Sequence, residues 1–201
     1  KQKSRSDLWI RKRSALHRKM GQHSKALHSL GKMEKIVMQI AGITGSADVR
    51  LDKRALVAMC ADNGVVEEGV TQTGQEVTAI VAENFLKGDT SACVMCRQCR
   101  TDVFPVDVGM ASDTKVPSDL KVMMGTRNMT KEPAMTYEEA VQGIEAGIEM
   151  VRRLKEQGYR LIATGEMGIG NTTTSSAVAS VLLNRSVEEM TDGEPDFPER
   201  D

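Results

Sequence analysis

The sequence predicts an α/β fold with a parallel sheet covered by helices on both faces. Short apolar, β-prone stretches alternate with longer amphipathic ones, and such alternation is the mark of crossover-connected parallel strands. Polar and glycine-rich clusters also fall where the strands end, the edge at which parallel sheets gather their ligands. The elements follow in order. "SLGKMEKIVMQIAGITG" (29–45) is an amphipathic helix closed by Gly45, and "RALVAMCADNG" (54–64) is a strand running into polar residues. "QEVTAIVAENFLKG" (75–88) is a helix stopped by Gly88, and "TSACVMCRQC" (90–99) is a second, capped one. "TDVFPVDVGM" (101–110) is a strand that delivers Asp107 and Gly109 at its end. "TYEEAVQGIEAGIEMVRRLKEQG" (136–158) is a long helix with charge pairs at i,i+4. "YRLIATG" (159–165) is a buried strand, and "NTTTSSAVASVLLN" (171–184) a helix opened by capping residues.

Composition narrows the classes. The 201 residues suit one domain or one and a half, and 40% hydrophobic content is enough for a core. With 3% aromatics and 13 Met, that core is aliphatic and Met-rich. A net charge of −1 gives no reason to expect nucleic acid or a membrane surface as partner. No apolar run approaches the ~20 residues of a membrane span, and nothing resembles a secretory leader. The expectation is a soluble, cytoplasmic protein.

Two other constellations carry little chemistry. Cys93, Cys96 and Cys99 have C-x-x-C-x-x-C spacing, but no fourth ligand follows, and on a helix this spacing puts the thiols on neighbouring turns. They are read as reduced thiols that bind no metal. His17, His23 and His28 all lie in the N-terminal stretch, so no Ser-His-Asp or Cys-His arrangement is evident.

The informative stretch is "GEMGIGNTTT" (165–174). A strand, a glycine turn and a helix N-terminus make a cradle for an anion or polar ligand, because the first-turn N–H groups and the positive dipole end face it. It is neither a P-loop, since Asn171 stands where Lys is needed, nor a full dinucleotide fingerprint, since only Gly168 and Gly170 comply. Glu166 beside a dipole built for anions suggests a site that handles protons or cations. Asp62-Asn63-Gly64 and Asp107-Val108-Gly109 fall at the other strand ends, although such residues also favour ordinary turns.

Taken in order, "CADNGVVEEGVTQ", "EVTAIVAENFLKGDTSACVM", "VFPVDVGM", "GTRNMTKEPAMT" and "GEMGIGNTTTSSAV" resemble the nicotinate-nucleotide–dimethylbenzimidazole phosphoribosyltransferases. The resemblance runs from about Leu27 to Thr191 and covers roughly the first half of the family's length. It implies a Rossmann-like three-layer α/β/α fold, a homodimer, and no cofactor or metal. The implied reaction makes the nucleotide of the cobalamin lower ligand. Dimethylbenzimidazole or a related base attacks the ribose C1′ of nicotinate mononucleotide, giving α-ribazole phosphate and nicotinate. Glu166 is then the catalytic carboxylate, an apt base for the azole N–H. The implied substrate-binding residues are Asp62, Asn63, Gln72, Ile80, Met167, Gly168, Gly170, Asn171, Thr172 and Thr173, the last five of them around the nucleotide. Ile80 stands where the family often has Gln, so the choice of base departs from the pattern. His or Asn both occur at the position of Asn63.

Both ends depart from the family. Past Thr191 it continues with a "GRGAGL" phosphate loop and, much further on, its principal glutamate, whereas this chain reads "DGEPDFPERD". Codons for that peptide, shifted by one base, encode Gly-Arg-Gly-Ala-Gly-Leu-Ser-Arg-Glu-Gly. "MGQHSKA" likewise regroups to Trp-Asp-Ser-Ile-Ala-Lys-Pro, a segment the family has before "SLG". Three segments are therefore expected: a basic, non-native or disordered extension at 1–26, an incomplete α/β phosphoribosyltransferase domain at 27–191, and an out-of-frame tail at 192–201. Catalysis is expected to be impaired by truncation. The alternatives are a non-catalytic module that binds a nucleotide or azole, and a nonfunctional frameshift product.

Overall fold

The structure, a computed structural model, describes residues 30–191 and, before them, helical positions Ile10, Arg11, Lys12, Ser14, Ala15 and Arg18. The remainder of the expected 1–26 extension and the expected 192–201 tail lie outside the described residues. Two compact units divide the chain, Lys1–Asp52 and Lys53–Asp201. In the first, helix α1 (Lys32–Thr44) ends on Gly45, whose left-handed φ of 66° only glycine adopts freely.

The second unit holds the sheet. Strands β1 (Arg54–Ala61), β2 (Thr101–Gly109) and β3 (Leu161–Met167) are parallel in the order β2-β1-β3. Helices α2 (Glu76–Lys87) and α3 (Ser91–Gln98) connect β1 to β2, and α4 (Tyr137–Glu156) connects β2 to β3. The first crossover moves one way from β1 and the second moves back past it. Crossovers of one hand that run in opposite directions put their helices on opposite faces.

The two cores show this division. Ala55, Val57 and Val106 pack with Met150, Leu154 of α4 and Tyr159. On the other face Cys60, Met110 and Val116 pack with Ala82 of α2, and Met167 joins them. The alternation along β1 is what sends its neighbours to opposite faces. The parallel α/β sheet with helices on both faces, expected from the sequence, is thus borne out.

Local chemistry fixes the helix ends. Thr90 accepts from the Cys93 N–H, and Thr136 with Glu139 forms a reciprocal capping box. Cys93 and Cys96 lie on α3 and Cys99 just beyond it, and they range from buried to exposed. No cluster of metal-ligating side chains occurs among the described residues. No helix there is long and apolar enough to cross a membrane.

Two buried carboxylates close the carboxyl ends of β1 and β2. Asp107 Oδ1 accepts from the N–H groups of Gly109 and Met110, and its Oδ2 pairs with Lys121 at 3.0 Å. Asp62 Oδ2 accepts from the Ala111 N–H at 2.7 Å. The Asp62 contacts, with Thr126 N–H reaching Asp62 O, tie the chain after β2 to the end of β1, while Gly125 N–H returns to Gly109 O at the end of β2.

Candidate active site

Glu166 is the penultimate residue of β3, and Gly168, Ile169 and Gly170 then turn the chain into α5 (Asn171–Leu183). The two glycines are needed for their size. A Cβ on Gly168 would lie 2.3 Å from the Ala61 carbonyl oxygen, and one on Gly170 2.8 Å from Cγ2 of Val66, with φ at +84°. The turn is therefore pressed against the end of β1.

Side chains from outside the turn hold it there. Asn63 Nδ2 donates to the Ile169 carbonyl at 3.0 Å, and Thr174 Oγ1 donates to Asn63 Oδ1 at 2.9 Å. The Ile169 N–H donates to Thr78 Oγ1 at 3.0 Å.

The start of α5 differs from the expectation of a capping side chain. Its N-cap is Gly170, which has no side chain to cap with. Asn171 instead turns its amide toward the carboxylate, Nδ2 donating to Glu166 Oε1 at 2.5 Å. A charge-assisted bond of this kind outcompetes a neutral cap. The Asn171 N–H is taken by Gly168 O and that of Thr174 by Gly170 O. Among the described residues the N–H groups of Thr172 and Thr173 have no protein partner, so they remain to face a ligand.

These groups line a cleft of about 670 Å³, to which Glu166, Asn171, Thr172 and Thr173 contribute the polar side. Met129, Val187 and Met190 contribute apolar surface opposite in character. Glu166 is solvent-exposed at the cleft. A second feature brings Met129 in. Arg127 grips both oxygens of Glu139 at 2.7 and 2.9 Å, and Asn128 and Thr130 both donate to Glu68, which fixes the loop on either side. The Arg127 guanidinium, with the Thr136 backbone N–H, holds the Glu139 carboxyl down to about 2.

Of the residues singled out from sequence, the cleft unites Glu166, Asn171, Thr172 and Thr173. Gly168 and Gly170 are buried in the turn behind it, and Met167 packs into the core beside Cys60. Asp62 is buried and Asn63 spends its amide inside the protein. Gln72 and Ile80 are exposed, Ile80 on α2; neither lines this cleft. Burial pushes the Cys60 thiol up to about 11, so it stays protonated and serves packing.

Sequence reasoning missed Ser175, Ser176, Met129 and α6 (Val187–Met190) as lining, and Thr78 as a tether. Ser175 and Ser176 were within reach of it, because they stand three and four positions beyond Thr172 on one helix face. Met129 comes from a loop that carries no periodic signal.

Fold and site together define an α/β protein with a cleft at the carboxyl edge of a parallel sheet, where a carboxylate meets a helix N-terminus. The chain belongs to the phosphoribosyltransferase family DBI_PRT, whose model matches residues 10–195. It is 52% identical over 169 residues to the nicotinate-nucleotide–dimethylbenzimidazole phosphoribosyltransferase of Ruminiclostridium cellulolyticum, covering 83% of this chain and 48% of that one. With the Acetivibrio thermocellus protein of the same name it shares 44% over 190 residues, 94% of this chain and 54% of the relative. A crystal structure of the Thermus thermophilus protein of that name superposes with a TM-score of 0.79 at 34% identity, over 92% of this chain and 57% of the other. The resemblance read from the motifs is thus borne out. The chain spans about half the length of the relatives it matches.

Proposed function

We propose that this chain carries the carboxylate-bearing half of a site that transfers phosphoribose from nicotinate mononucleotide to 5,6-dimethylbenzimidazole or a related base. The observation that supports it most is Glu166, held by Asn171 beside the two unpartnered amides of Thr172 and Thr173. In this reading a ring nitrogen of the base forms a bond to C1′ of the ribose. The C1′–N bond to nicotinate breaks, and its electron pair returns to the pyridine nitrogen. The azole N–H proton passes to Glu166, which the Asn171 amide keeps oriented. The amides of Thr172 and Thr173 receive an anionic group of the nucleotide, and Met129 and Met190 border the flat base. α-Ribazole phosphate and nicotinate are the products. The same reading takes a homodimer in the cytoplasm as the working form, with no cofactor.

The test is α-ribazole phosphate formation and nicotinate release from both substrates by the chain extended to the full length of its relatives, with Glu166→Gln as the variant. Glu166→Gln should lower kcat by about 10²–10⁴-fold and change KM much less, because a base acts in the transition state. Unchanged kcat removes Glu166 from the chemistry. Binding of nicotinate mononucleotide without nicotinate release would favour the non-catalytic binding module instead.

A further inference from the structure

We propose that Asn63 and Thr78 are positioning residues that set the peptide planes on both sides of Ile169, and through them the direction of Glu166, Asn171 and the free amides. The inference deepens the reading above and rests on it for the identity of the ligand.

Both backbone polar groups of Ile169 are satisfied by side chains from distant parts of the chain. Its N–H goes to Thr78 Oγ1 on α2, and its C=O accepts from Asn63 Nδ2 after β1. The partners are 91 and 106 residues away in sequence. Neither tether is incidental to its own surroundings. Thr78 is fully buried, so its hydroxyl has no water to exchange with. Asn63 is itself held, since Gln75 Nε2 donates to its carbonyl at 3.0 Å and Thr174 Oγ1 donates to its Oδ1. That last bond links the same amide to the first turn of α5.

The turn needs this restraint. It is flanked by Gly168 and Gly170, which leave the backbone on either side free to rotate. Ile169 has no tether of its own making. If its peptide planes swing, Asn171 leaves Glu166 and the amides of Thr172 and Thr173 point elsewhere. Neither Asn63 nor Thr78 lines the cleft, so their influence passes through the turn. Displacements near 1 Å already cost catalysis heavily.

The experiment compares the chain with Thr78→Val, Thr78→Ser and Asn63→Asp. Amide hydrogen exchange is followed at Ile169 and at the β1 amides, and nicotinate mononucleotide binding is measured by calorimetry. Thr78→Val conserves shape and removes the acceptor. It should speed Ile169 exchange by about tenfold or more and weaken binding by about tenfold, with β1 exchange and Tm near those of the parent chain. Thr78→Ser should restore both readouts. Asn63→Asp, which keeps the Thr174 contact and loses the donor to Ile169, should reproduce the loss and covers the case in which Thr78→Val does not fold. Unchanged Ile169 exchange in both breaking variants overturns the proposal. So does faster exchange with unchanged binding. If the parent chain fails to bind nicotinate mononucleotide, the substrate reading falls, and the pinning of the turn is decided by exchange alone.

Discussion

The two edges of the sheet are finished in different ways. On the β1–β2 side, α4 buries Ala146, Met150 and Leu154, and Tyr159 packs edge-on to Phe104 with ring centroids 5.4 Å apart. On the β3 side, α5 has no buried residue, and Val181 and Leu182 are 81% and 78% exposed. Yet α5 is the more apolar helix, with hydrophobic residues around its circumference rather than on one stripe. A helix of that composition is suited to burial on several sides, and among the described residues that cover is absent. The candidate site sits on this sparsely packed side. Its geometry therefore comes from tethers at the turn rather than from a packed helix body.

That contrast predicts a large difference between equivalent truncations. Leu154 is fully buried against the sheet, so Leu154→Ala should lose about 2–5 kcal/mol of unfolding free energy. Leu182→Ala on α5 should change it by less than about 0.5 kcal/mol. Urea unfolding of both variants checks this. Equal losses would mean that α5 is covered in solution by something the contrast leaves out.

A smaller effect, at the loop that brings Met129 to the cleft, depends on pH. The Arg127 guanidinium and the Thr136 backbone N–H hold Glu139 at about 2, below its ordinary 4.5. A depressed carboxylate stabilises the folded state above its unfolded pKa, and the contribution disappears as pH falls through the folded value. Glu139→Gln should therefore be less stable than the parent at neutral pH. The gap should narrow as pH falls from the ordinary 4.5 toward the folded value of about 2, and vanish below it. A gap that persists in stronger acid would assign the role to shape rather than charge.

Much of this molecule is legible in the sequence because its signals are local. β1 and β2 are apolar runs ending in Asp-Asn-Gly or Asp-Val-Gly, Gly88 stops α2, and the Thr136 and Glu139 pair announces α4 three residues apart. β3 reads as a buried strand but has no buried residue, because among the described residues little packs on its outer side. The glycine turn is legible too, since its spacing with Glu166 is what draws attention to it. What stays hidden is carried by contacts across long separations. Asn63 reads as an ordinary turn residue or a ligand, and only the fold shows its amide spent on Ile169 and Thr174. Thr78 looks like any small polar residue in a helix until its hydroxyl is found receiving the Ile169 N–H. The cap of α5 misleads for a related reason. Asn171 has a good capping side chain, but a carboxylate five residues earlier claims it.

The smallest effect on stability is expected where α5 is barest, and it sharpens the contrast through a different observable. Val181 and Leu182 are neighbours on an exposed apolar surface, with Val178 and Leu183 also exposed. Among the described residues the outer edge of β3 pairs with no further strand. An open edge and an apolar patch of this kind invite self-association. Val181→Lys together with Leu182→Lys places two charges on that surface without removing a packed contact. Lys is as good a helix former as Leu and better than Val, so unfolding free energy should move by no more than about 0.5 kcal/mol. Light scattering should nonetheless fall, and the concentration at which the protein associates should rise. If the double variant instead unfolds or loses its cooperative transition, α5 is packed in solution against another surface, and the two sides of the sheet are more alike than their exposures indicate.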